Sequence, residues 1–68
     1  MAKTYKTWML ELLDYDNPVG DLARDIDQDI NFPNTDDFDE VKNYLTRRGA
    51  TYDVMQLLEE TWSKYTTY

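Results

Sequence analysis

Apolar residues recur along this chain at helical spacing, and no stretch alternates as a half-buried strand would. Tyr5, Trp8, Met9, Leu12 and Leu13 stand at i, i+3, i+4, i+7 and i+8, one face of an amphipathic helix over about 4–13 with Thr4 as its cap. Asn17 before Pro18 sets a capping side chain ahead of a proline suited to a first helical turn. A second helix is predicted over about 18–30, its face Val19, Leu22, Ala23, Ile26 and Ile30, with Gly20 allowing another backbone to approach. Pro33 forces Phe32 out of helical geometry, which makes Phe32 an anchor for the turn.

Thr35, Asp36 or Asp37 can cap a third helix over about 36–48, whose face is Phe38, Val41, Tyr44 and Leu45. Its first turn is acidic and its last turn carries Arg47 and Arg48, both matching the macrodipole, and Gly49 stops it. Thr51 caps a fourth helix over about 51–65, with Tyr52, Met55, Leu58, Trp62 and Tyr65 facing inward, Val54 and Thr61 at the edge, and residues 66–68 fraying. Tyr15, Leu57 and Tyr68 fall off these stripes. The pattern predicts an all-α chain: a compact four-helix bundle forming one domain over residues 1–68. Trp8, Leu22, Ile26, Phe32, Tyr44 and Trp62 are its expected core anchors.

Composition narrows the chemistry. A chain of 68 residues buries only roughly 60% of its unfolded surface, and with no cysteine it has no disulfide to help, so ten aromatic residues carry much of the core. With neither Cys nor His, the best ligands for zinc, iron and copper are missing, and so are the usual nucleophile and base. We expect no catalytic residue, no cofactor and no metal. The longest apolar run near the start is Trp8-Met9-Leu10, too short for a signal peptide or a spanning helix, so a cytoplasmic protein without membrane contact is the expectation.

Charge adds a regional feature. The net charge is −7, yet residues 14–40 hold ten of the fourteen acids and only Arg24 as a base. That segment carries −9, and the four acids and six bases elsewhere leave +2. Such a balance disfavours a phosphate backbone or an anionic membrane and suits a basic protein partner. The pattern specifies no oligomeric state.

The acidic second helix also carries a resemblance. Gly20-Asp21-Leu22-Ala23-x-Asp25-Ile26-x-x-Asp29-x-x-Phe32-Pro33 resembles the signature of the YozE-like family of small bacterial proteins. Tyr5-x-x-Trp8-Met9 before it, and Tyr44-Leu45, Ala50 and Trp62-x-x-Tyr65 after it, are similar too, so the resemblance covers nearly the whole chain. It implies a sterile-alpha-motif-like bundle and implies no activity.

A helical wheel divides the aspartates of the second helix. Asp25 and Asp29 border the apolar stripe, whereas Asp21, Arg24, Asp27 and Gln28 point to solvent. Like charges at i and i+4 repel, and an acid near a helix C-terminus opposes the dipole, so Asp25 and Asp29 are expected to be structural acceptors. Asp29 would take backbone N–H groups of the following turn or a Tyr or Trp donor, and Asp25 would meet Arg47 or Arg48. Asp21, Arg24, Asp27 and Gln28 form the candidate interaction surface. A calcium loop does not fit: counted from Asp14 the fifth position is Pro18, and counted from Asp25 the sixth is Ile30 instead of glycine.

The function expected is a non-catalytic protein-interaction module with an acidic surface. A nucleic-acid-associated domain is the first alternative and requires a basic face assembled from Lys3, Lys6, Arg47, Arg48 and Lys64. An orphan structural domain without a ligand is the second.

Overall fold

The computed structural model describes residues 3–67, so Tyr68 lies outside the described residues. Thr4 caps the first helix, α1 (Tyr5–Met9), its hydroxyl accepting from the Thr7 N–H at 3.3 Å. The segment expected to be α-helical through Leu13 tightens instead into a 3₁₀ turn at Leu10–Leu12. Asn17 then caps α2 (Pro18–Gln28), accepting from the Gly20 N–H at 3.0 Å with Pro18 in the first turn. Asp37 caps α3 (Phe38–Arg47), and Thr51 receives the Val54 N–H at 3.3 Å at the start of α4 (Tyr52–Thr67). These four helices, with no strand among the described residues, make the bundle predicted from periodicity.

Two ends depart from expectation. α2 stops at Gln28, because Asp29 is extended (φ −96°, ψ 97°), and Ile30 swings out to 90% exposure instead of completing the apolar face. α4 runs on to Thr67, so Thr66 and Thr67 are helical where an irregular tail is expected. Tyr52, placed on the inner face by spacing, is 75% exposed because it sits roughly 120° around the helix from Leu58. The same rotation brings Leu57 to a half-buried position against the core. The turn after α3 closes as a Schellman motif: the Gly49 N–H reaches the Thr46 carbonyl at 3.1 Å and the Ala50 N–H the Leu45 carbonyl at 3.0 Å. Gly49 has φ +78°, the left-handed geometry that favours glycine there.

An aromatic cluster joins the two chain ends. Trp62 stacks on Tyr5 at 4.6 Å between centroids and meets Phe38 and Tyr65 edge-on, both at 5.3 Å. Thr61, expected at an edge, is buried at 1% exposure, its oxygen 2.8 Å from the Tyr5 hydroxyl and 2.8 Å from the Leu57 carbonyl. A hydroxyl has one proton; with Thr61's directed at its own helix, Tyr5 donates and Thr61 accepts. Burial pushes the Tyr5 phenol up to about 12, partly offset by the hydrogen bond with Thr61. No helix among the described residues is long and apolar enough to cross a membrane.

Candidate functional site

α2 and α4 pack side by side and leave an open groove of about 400 Å³ between them. Its apolar lining is Pro18 and Leu22 from α2 with Val54 and Leu57 from α4. Acids flank that lining on both sides, Asp21 and Asp25 on the α2 wall, Asp53 and Glu60 on the α4 wall. The placement follows from helical spacing: Asp21 and Asp25 are one turn apart beside Leu22, and Asp53, Gln56, Leu57 and Glu60 share a stripe two turns long. All four acids are exposed. Asp25, Asp53 and Glu60 form no side-chain hydrogen bond or ion pair among the described residues. No three acids among the described residues come close enough together to hold a metal ion.

The groove shares Leu22, Asp25 and Val54 with a second hollow of about 490 Å³, between the end of α2 and the α3–α4 turn. At its edge the Asp29 carboxylate accepts the Asn31 N–H at 3.0 Å and the Tyr44 hydroxyl, and Arg48 stands 4.0 Å away. These bonds stop α2. The chain leaves helical geometry where Asp29 turns to its donors, and the Phe32 N–H closes the turn on the Asp29 carbonyl at 3.1 Å, which sets Phe32 in the core edge-on to Tyr44. The Tyr44 hydrogen bond is the main cause that lowers the Asp29 carboxyl below its ordinary value, and the same bond raises the Tyr44 phenol.

Because the folded carboxyl is the stronger acid, Asp29 stabilises the fold at pH values above its unfolded range, and that contribution fades as pH falls through the lower, folded value. Asp29→Asn is therefore expected to lower the urea midpoint at pH 7. The gap to wild type should narrow steadily as pH falls below about 4, and a gap independent of pH would show that the charge of Asp29 does not matter.

A family model, that of the YozE SAM-like fold, matches residues 4–67. The chain belongs to the YozE SAM-like fold family. No curated protein and no solved structure matches it. In this YozE-like domain the block that carries the resemblance is accounted for largely by packing. Gly20 lies under the Tyr15 carbonyl, Leu22, Ala23 and Ile26 are buried, Asp29 holds the turn, and Phe32 fills the core.

The interaction surface expected on α2 is not one surface. Asp21 lines the groove and Gln28 the adjoining hollow, whereas Asp27 is exposed but lines neither. Arg24, expected to point to solvent, is half-buried and bent toward the preceding segment: its Nη1 donates to the Leu13 carbonyl at 2.8 Å and the Tyr15 carbonyl at 3.2 Å, and its Nη2 pairs with Asp21. Those carbonyls end the first helical segment without helical partners, so a cation is drawn to them. Asp25 meets neither Arg47 nor Arg48, since Arg48 lies beside Asp29. With Asp29 off the helix, the like-charge stacking that called for a partner is also gone. Asp53, Gln56 and Glu60 were not singled out by sequence; the signal available was their helical stripe on α4, which points outward until α2 is placed beside it.

Proposed function

We propose that this YozE-like domain is a non-catalytic protein-interaction module of the bacterial cytoplasm, and that its acidic α2 side receives a basic protein partner. One observation carries the reading. Exposed carboxylates gather along α2 and across from it on α4, and the only base in residues 14–40, Arg24, is engaged by backbone carbonyls and Asp21. A surface of that sign attracts Lys- and Arg-rich partners and repels nucleic-acid phosphates. Since Asp21, Asp25 and Asp27 are exposed, they can be neutralised without disturbing the core.

The test is crosslinking and pull-down from the native host with wild type and with Asp21→Asn/Asp25→Asn/Asp27→Asn. A basic protein recovered by wild type at low salt should drop at least tenfold with the triple variant and fade with added salt for wild type. Equal recovery by both proteins would contradict the reading.

A further inference from the structure

We infer that the occupant of the α2–α4 groove is an amphipathic helix with an apolar stripe between two rows of basic side chains. The inference rests on the interaction reading above and specifies how the partner is held. In cross-section the groove runs acid, apolar, acid: Asp21 and Asp25 on one wall, Leu22, Val54 and Leu57 between, and Asp53 and Glu60 on the other. A helix laid in such a groove buries one stripe of apolar residues and presents its flanking positions to both walls.

The dimensions suit that occupant. Asp53 to Glu60 spans about 10 Å at the helical rise, which is two turns and matches an i, i+3 or i+4, i+7 set of apolar anchors on the incoming helix. At the α2 C-terminal end the groove runs on into the second hollow through Leu22, Asp25 and Val54, so a longer helix would continue toward Ile30, which is 90% exposed.

Charge complementarity selects this occupant over others. A second copy of the chain carries a net −7 as a whole, so its approach to the acidic walls is opposed by overall like charge. A nucleic acid would set phosphates against the same carboxylates. An acidic or neutral amphipathic helix could fill the apolar lining but would leave Asp25, Asp53 and Glu60 beside apolar or like-charged groups as water is excluded. Lys and Arg flanks meet them, with their aliphatic stems covering the groove edges.

The experiment measures, by fluorescence polarisation, the affinity of three labelled 18-residue peptides for the full chain. The first is built of Leu and Lys with Leu on one helical stripe, the second has the same composition scrambled to remove the stripe, and the third carries Glu for every Lys. The patterned basic peptide should bind at least tenfold more tightly than the scrambled one and gain helical circular dichroism on binding. The Glu peptide should not bind. Asp53→Lys/Glu60→Lys, both exposed and away from the core, should weaken the patterned peptide at least tenfold while the variant's own circular dichroism is unchanged.

Equal affinity for patterned and scrambled peptides would overturn the groove inference and leave the acidic-surface reading standing. So would a peptide affinity that survives Asp53→Lys/Glu60→Lys but is lost in the triple asparagine variant. Salt-resistant self-association in sedimentation, or tighter binding to a short DNA duplex than to the patterned peptide, would replace the occupant and overturn the inference. The interaction reading itself falls only if the pull-down difference is absent.

Discussion

Gly20→Ala is expected to remove a large share of the stability of this domain. A Cβ on Gly20 would lie 1.7 Å from the Tyr15 carbonyl oxygen and 2.7 Å from its carbon, a collision with backbone and not with the end of a flexible side chain. Neither partner can retreat cheaply. Gly20 sits in the capped first turn of α2, and the Tyr15 carbonyl is held by Arg24 while the Tyr15 N–H is bonded to Leu12 at 3.1 Å. Overpacking usually costs about 1–3 kcal/mol, and a backbone clash belongs at the top of that range or above it. A domain of this size has roughly 3–10 kcal/mol in all, at 0.05–0.15 kcal/mol per residue. Urea denaturation followed by far-UV circular dichroism should show a loss of about 3 kcal/mol or no cooperative transition. Gly49→Ala is the comparison: a Cβ there meets nothing within 4 Å, so the cost is only the left-handed backbone at φ +78°, about 1–2 kcal/mol. Equal losses at the two glycines would refute the contact explanation.

Trp62→Ala is expected to cost at least as much. Trp62 is the ring that Tyr5, Phe38 and Tyr65 all touch, so its removal opens a cavity where α1, α3 and α4 meet. Truncating a buried Trp costs about 3–5 kcal/mol, transfer and cavity terms together, and the aromatic pair contacts are lost as well. Calorimetry should show a cooperative transition lowered by well over 10 °C, since about 1 kcal/mol moves the midpoint of so small a domain by 4–8 °C. Trp62→Phe should restore part of it. A fall of only a few degrees for Trp62→Ala would mean that the aromatic cluster is not the centre of the fold.

Periodicity and caps made most of the bundle readable. Thr4, Asn17, Asp37 and Thr51 each cap the helix they precede, and Gly49 ends α3 by the conformation only glycine adopts freely. Local rules failed where a distant donor competed with them. Ile30 fits the apolar stripe of α2, but Asp29 leaves the helix to accept the Tyr44 hydroxyl from α3, a partner fifteen residues away. Arg24 looked like a solvent charge because the carbonyls it caps belong to another segment. Tyr52 and Leu57 lie on the opposite sides of α4 from those expected, because Leu58, Thr61 and Trp62 set the buried stripe and Tyr52 stands roughly 120° around the helix from Leu58. Charge counting found the acidic region but not the groove, since half of its walls come from α4, where single acids on an exposed stripe carry no signal of their own.

The signature block therefore divides between fold and surface differently from the helical wheel. Asp29 is a turn-holding acceptor, whereas Asp25, bordering the same stripe, lines the groove with Asp21, Asp53 and Glu60. Arg24 ties α2 to the end of the first helical segment. The proposed meeting place of the domain and its partner is this groove. The most direct measurement is a map of backbone amide shifts as the patterned Leu/Lys peptide is titrated into the ¹⁵N-labelled domain. The largest shifts are expected at Leu22, Asp25, Val54 and Leu57. Shifts concentrated instead around Trp8, Leu12 and Lys64, or spread evenly over every exposed acid, would contradict it.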